Sequence, residues 1–352
     1  MRLASALRVV VCGSVLIAAG VGMGQTAAAK PGYESDPKFM SAMKDAKQSL
    51  ADRNPMYAVE YYKKANKIAE GKCSLCLDRA YDWQMKMTNY KDAVQIATQL
   101  VALAEKPVDK SMAEAEKATA MLLQAGDKPK PEKLEAVHAM YVEAIRDFPR
   151  NLSARYSDGC VLARMGKMDE AGQQFKACAE AASPTDPTRM RAKHFAENPA
   201  LSLSKMAPAF TVTALDGSKF TLDEMGGKVV LIDFWATWCG PCNEELPHMR
   251  KIAKEFAGQP LVIISVSWDA DETKWKAFMA KNEMTWVQYR DADHDLSKRF
   301  GVEAIPHYFT IDSDGVLTAE MMGSGSDVEG KLKKLIARAK ASPAKAQVAA
   351  GN

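Results

Sequence analysis

The stretch KVVLIDFWATWCGPCNEELPHMRKIAKEFAG, Lys228 to Gly258, holds a continuous apolar run, a short break and an amphipathic run. KVVLIDFWA reads as a buried strand and CNEELPHMRKIAKEFAG as an amphipathic helix. Cys239 and Cys242 fall where the one passes into the other. Such a pair is a structural staple, half of a metal site, or a disulfide that opens and closes during turnover.

The pattern continues on both sides. FTVTALDG and SKFTL read as a hairpin before the strand. After the helix come a second buried strand, LVIISVSWD, and a second helix, ETKWKAFMAKNE. A connector leads to HYFTIDSDGVLTAEMMG, a hairpin with an SDG turn, and to a last helix, VEGKLKKLIARAKA. Strands alternating with helices, then a terminal hairpin and helix, predict an α/β domain over residues 208–340 with a central mixed sheet and helices on both faces.

The chain has 352 residues, enough for two domains, and a formal net charge of +3. That near-neutral balance calls for neither nucleic acid nor an anionic membrane as a partner. Residues 1–29 differ from the rest: two arginines without an acid, a short apolar run, then small residues. They read as a signal peptide cut near Ala28 or Ala29, which predicts a periplasmic or otherwise exported protein. The alternative is an uncleaved anchor, the one way this chain would meet a membrane. Cys12 lies in the discarded segment, leaving Cys73, Cys76, Cys160, Cys178, Cys239 and Cys242, whose pairing the sequence leaves open. The tail from 341 to 352 lacks a core-forming pattern and reads as disordered.

From residue 30 to 182 the pattern is helical throughout, and it repeats. Ala58, Tyr62 and Ala65 recur 35 residues later as Ala93, Ala97 and Leu100; Val137, Tyr141 and Ala144 recur 34 residues later as Ala171, Phe175 and Cys178. The turns MTNYKDA and MGKMDEA link paired runs. This resembles the tetratricopeptide repeat, a 34-residue helical hairpin, although Arg155 stands where that repeat has a large aromatic. Residues 183–207, with SPTDP and ENP, read as a linker.

At the mouth of the helix, unpaired N–H groups and the helix dipole stabilise a Cys239 thiolate. Cys242 lies one turn inward, within reach of the first sulfur. Gly240 and Pro241 suit the first turn, where Pro needs no donor. A zinc site needs about four ligands, and no second pair stands near; His248 and His307 read as lone surface residues. A c-type haem site needs His where Asn243 stands. Metal and cofactor are therefore not expected, and the spacing favours turnover by thiol–disulfide exchange.

WCGPC, Trp238 to Cys242, is the thioredoxin active-site motif. APAFTVTALDGSKFTL, FWATWCGPC and the following ELP resemble the exported thioredoxins of the TlpA and ResA type within the redoxins. The resemblance implies a thiol–disulfide oxidoreductase acting on disulfides of exported proteins, with Cys239 as nucleophile and Cys242 as resolving thiol. It places Asp233 as the buried carboxyl that moves a proton at the inner cysteine, although LVIISVS offers no lysine to partner it. Pro247 matches the proline that kinks the active-site helix. Pro306 matches the cis-proline facing the cysteines, with the Ile305 backbone turned toward an incoming peptide. Trp238, Gly240, Pro241 and, less typically, His307 complete the expected substrate contacts. Trp235 reads as partly core, and Glu245 as a solvated helix acid. Gly-Pro between the cysteines favours a reductant, since thioredoxin itself lies near roughly −270 mV.

CSLC, Cys73 to Cys76, is a second C-x-x-C, readable as an inert staple, as packed thiols or as a redox pair. Cys160 and Cys178 sit on the two helices of one repeat, where a cross-link or free packed thiols are both open. The expected partners are a disulfide-bearing protein and an upstream electron donor or acceptor, with the repeats docking a protein or pairing with a second copy. Two other readings compete: a redox-regulated repeat adaptor, and a peroxiredoxin-like peroxidase, against which Ala236 stands where a threonine is needed.

Overall fold

The structure, a computed structural model, describes residues 32–186 and 188–341. The signal-peptide reading with Cys12, and the tail from 342 onward, lie outside the described residues. The chain divides into two compact units between Ala200 and Leu201. Among the described residues no helix is long and apolar enough to cross a membrane.

The first unit is all helical: α1 Pro37–Ala51, α2 Pro55–Ile68, α3 Ser74–Lys86, α4 Tyr90–Leu103, α5 Pro107–Gln124, α6 Pro131–Asp147, α7 Leu152–Arg164, α8 Met168–Ala181 and α9 Thr188–Glu197. Each helix packs on the next. Their starts are written locally. Asp36, Asn54 and Asn151 cap α1, α2 and α7 by accepting backbone N–H groups, and proline stands in the first turn of α1, α2, α5 and α6. The small and large residues that recur along the sequence fall on α2, α4, α6 and α8, and every one of them is buried. Small residues let the helices approach, and the aromatic between them fills the space.

One expectation for this unit needs correction, and one open alternative is decided. Residues 188–197, expected inside a linker, form α9, which packs on α8. Phe195 is fully buried and its ring meets Phe175 and Tyr156 at 5.1 and 5.8 Å. Helical spacing of Ala192 and Phe195 outweighs the flanking prolines. Of the two alternatives left open for Cys160 and Cys178, the structure shows no cross-link between them, and both are buried. Cys178 Sγ lies 3.5 Å from the carbonyl of Leu152, at the start of α7. Cys160 is two turns further along that helix, about 12 Å by the helical rise, beyond a disulfide's span.

Gly159 shows how closely α7 and α8 approach: a Cβ there would lie 2.8 Å from the Phe175 ring. Gly159→Ala should therefore lower stability by about 1–3 kcal/mol through overpacking, despite alanine's better helix propensity. Combined with Phe175→Leu, the same change should become neutral or stabilising. Denaturation followed by circular dichroism across the four variants of this cycle would check it.

The second unit is α/β: β1 Thr211–Thr213, β2 Lys219–Thr221, β3 Val229–Trp235, α10 Gly240–Glu255, β4 Leu261–Ser267, α11 Glu272–Lys281, β5 Val287–Arg290, α12 Asp295–Phe300, β6 His307–Ile311, β7 Leu317–Met322 and α13 Val328–Ala341. β1 and β2 form a separate hairpin, and the main sheet runs β5-β4-β3-β6-β7. β3, β4 and β5 are parallel, β6 runs antiparallel to β3, and β7 runs antiparallel to β6, so the sheet is mixed. β5 and α12 fall in the stretch expected only as a connector. Both are too short for periodicity to reveal. Asp291 starts α12 by accepting the N–H groups of Leu296 and Ser297.

All of β3 is buried, because both faces are covered. Val230, Ile232 and Phe234 pack with Phe309, Ile311 and the α12 side chains Leu296 and Phe300. Val229 and Leu231 face the other way, against Met249 and Ile252 of α10 and Leu332 and Ile336 of α13. Asp233 continues the second face by the strand's period of two, at the end nearest the cysteines.

Candidate active site

The link from β3 to α10 places the reactive sulfurs. Cys239 is the N-cap of α10, in extended backbone, and its Sγ accepts the N–H of Cys242 at 3.2 Å. The two cysteines are joined as a disulfide. Gly240 and Pro241 fill the first turn, and Pro247 lies inside the helix. Both sulfur-bearing residues are nearly buried, in a cluster with Trp235, Leu246, Trp275 and Met279. Around them Trp238, Gly240 and Pro241 are exposed, Trp238 at 65%. The Ile305–Pro306 peptide is cis, and the Ile305 carbonyl lies 3.8 Å from Cys239 Sγ.

Asp233 is buried in the middle of the sheet. Burial pushes its carboxyl up to about 7, against the lowering effect of a hydrogen bond from Ser265. Ser265 is its register partner on β4, donates to Oδ2 at 2.9 Å, and itself accepts the Trp286 Nε1–H at 2.8 Å. The position where a lysine was sought is thus served by a serine–tryptophan relay.

Sequence reading missed the clamp on the turn. Asp269, just past β4, accepts from the Thr237 backbone N–H at 2.9 Å, from Thr237 Oγ1 and from Ser267 Oγ. Asn243 then donates to the Thr237 carbonyl at 3.1 Å. An acid closing LVIISVSWD was the available signal, but its partner lies 32 residues away.

Three expectations change. His307 is not at the surface: it is buried at 2%, stacks on Phe309 and pairs with Glu320 at 3.2 Å. Its register partner is Phe234, which puts it on the sheet face opposite Asp233. Glu245 is not simply solvated. Its carboxylate accepts the Gly325 N–H at 2.7 Å and meets His248, tying α10 to the loop before α13. Trp235 is wholly core, its ring 5.6 Å from that of Phe278. No cluster of three metal-ligating side chains occurs among the described residues.

The comparisons with known proteins converge on this unit. The Redoxin family model matches residues 203–335. ResA, a thiol-disulfide oxidoreductase of Bacillus thuringiensis (strain Al Hakam), is 32% identical over 143 residues, 40% of this chain and 83% of that protein. This chain belongs to the redoxin family. It is a thioredoxin-like thiol–disulfide oxidoreductase. The thioredoxin-like protein YneN of Bacillus subtilis (strain 168) is 31% identical over 37% of this chain and 76% of its own length. Among solved structures, the thioredoxin domain of a thiol-disulfide oxidoreductase from Bacteroides vulgatus aligns with 28% identity and a TM-score of 0.35, over 38% of this chain and 97% of that one. The Redoxin match leaves the helical unit outside its span.

Two predictions follow from the carboxylates. The native state keeps the Asp233 proton to a pH about three units above the unfolded chain, whose Asp titrates near 3.9. The stability associated with that proton is full below pH ~4 and is lost as pH rises toward 7. Asp233→Asn should therefore stabilise the protein by roughly 2–4 kcal/mol at pH 8 and lose that advantage below pH 4. Thermal unfolding across that range would check it. Asp269→Ala should free the turn, increasing amide exchange at Thr237 and slowing disulfide reduction at least about tenfold through loss of positioning.

Proposed function

We propose that Cys239 and Cys242 reduce disulfides of exported proteins, with Asp233 moving the proton at Cys242. The observation that carries this reading is the Cys239 sulfur capping α10, with the Cys242 N–H aimed at it over a buried carboxyl whose proton exchanges near neutrality. A Cys239 thiolate attacks one sulfur of the partner's disulfide, and the other leaves as a thiolate that takes a proton from solvent. Cys242 gives its proton to the Asp233 carboxylate and attacks Cys239 Sγ. The 239–242 disulfide closes, and the partner's second sulfur leaves as a thiolate that takes up the proton Asp233 received. An electron-donor protein then restores the dithiol.

Supporting the docking role, Trp238, Gly240 and Pro241 form an exposed rim around otherwise buried sulfurs. The Ile305 backbone lies beside Cys239 and offers a strand-like edge to an incoming peptide. Export rests on the N-terminal segment of the sequence. The paired helices before residue 182 would act as tetratricopeptide-like repeats that bring a protein partner to this site, with 208–340 as the redox domain.

Cys242→Ser should trap a mixed disulfide between Cys239 and a substrate protein, released by dithiothreitol, while Cys239→Ser should trap none and abolish insulin reduction. Recovery of the same partner by both variants, without a sulfur link, would instead favour a repeat adaptor.

A further inference from the structure

The helical unit holds a second cysteine pair built like the first. Cys73 is the N-cap of α3, and its Sγ accepts the N–H of Cys76 at 3.1 Å, against 3.2 Å at the pair in the α/β unit. The two are joined as a disulfide. As a staple this bond achieves little. It closes a loop of only one helical turn, where the chain-entropy gain is smallest. The cap hydrogen bond and the Asn66 side chain, which accepts the Cys73 N–H at 3.1 Å, already hold that turn.

What surrounds the pair points to chemistry. A cleft of about 530 Å³ opens against it, walled by Tyr33, Phe39, Met40 and Met43, with Leu75 on the other side. Met40 and Leu75 are about half exposed. Cys73, 2% exposed, lines the floor of this cleft, and Cys76, with no exposure, lies behind it against Met43. Lys44 and Lys47 stand on the rim with Glu34 as the only acid, and neither lysine makes an ion pair among the described residues. An apolar cleft with a net positive rim, floored by one cysteine of a disulfide, suits an anionic thiol-bearing ligand.

We propose that Cys73–Cys76 is a second dithiol–disulfide exchange centre, at which an anionic thiol entering the cleft attacks Cys73 and displaces Cys76. In the first step the incoming sulfur bonds to Cys73 Sγ, the Cys73–Cys76 bond breaks, and the incoming thiol's proton ends on Cys76. A second thiol then attacks the ligand sulfur of this mixed disulfide, and its proton ends on Cys73. The ligand leaves as a disulfide, having given two electrons and two protons to the pair. The thiol belongs either to a small peptide such as glutathione or to a protein cysteine.

The test uses the full chain carrying Cys239→Ser and Cys242→Ser, so that only this pair reports. The native protein is exposed to reduced glutathione or, in parallel, to a reduced thioredoxin, then alkylated and read by mass spectrometry of the peptide spanning residues 73–76. The expected result is opening of the pair in the native chain by at least one reagent. Glutathione should act several-fold more slowly after Lys44→Glu and Lys47→Glu. The faster reagent assigns the source of the thiol. With Cys76→Ser added, oxidised glutathione should load Cys73 at least tenfold faster than it loads Cys76 in the Cys73→Ser form. A pair that both reagents leave closed until the protein is denatured would overturn the proposal, as would preferential loading of Cys76. Should a serine variant fail to fold, the kinetics of the intact pair still decide.

Discussion

The Cys242 N–H points at Cys239 Sγ from 3.2 Å, and that contact depends on a turn held from outside itself. Leaving β3, the chain must reverse from buried strand to helix within Ala236, Thr237 and Trp238. Asp269 fixes the middle of this turn through both the backbone and the hydroxyl of Thr237, while Ser267 anchors Asp269 in its own strand. Hydrogen bonds to a charged acceptor are worth about 1.5–3 kcal/mol each. A few of them therefore exceed the free energy available to a short turn for drifting. With the turn fixed, the helix mouth and its dipole are delivered to one sulfur.

The same placement carries a cost in stability. β3 is the middle strand and is covered on both faces, so Asp233 sits where no carboxyl would be tolerated for packing alone. Ser265 and Trp286 supply hydrogen bonds, yet burial still dominates and holds the proton to about pH 7. A fully solvated aspartate would be ionised far below neutrality and would make a poor proton exchanger there. The sheet thus gives up stability at one position to keep a carboxyl that can exchange its proton near neutrality, the property the proposed mechanism uses.

Strand β3 and helix α10 were legible because each signal is local: a continuous apolar run, then an amphipathic period, with Gly-Pro between the cysteines. The hairpins and the buried faces of α2, α4, α6 and α8 were legible for the same reason. What escaped depends on contacts between distant segments. The Thr237–Asp269 clamp, the Glu245–Gly325 tie and the Ser265 partner are visible only once the strands are in register. His307 read as a surface residue because its burial depends on which residue of β6 meets Phe234, and a shift of one position reverses every side chain. Helix α9 was hidden by flanking prolines that mark its ends rather than its absence.

The two C-x-x-C segments separate what a short motif can do from what its surroundings add. Both produce a similar cap: a cysteine outside helical backbone, a helix starting at the next residue, and an N–H turned onto its sulfur. That geometry needs only the spacing. The differences are tertiary. Cys239 follows the end of a central strand that carries a buried carboxyl and is ringed by exposed Trp238, Gly240 and Pro241. Cys73 follows a helical turn, has an amide in Asn66 as its polar neighbour, and opens on a cleft rimmed by lysines. In the proposed mechanism Asp233 accepts the proton of Cys242, which would let Cys242 attack without waiting for solvent and would suit repeated turnover on large partners. Without such an acid, the proton at Cys76 must travel with the ligand, so the ligand's own thiol sets the pace.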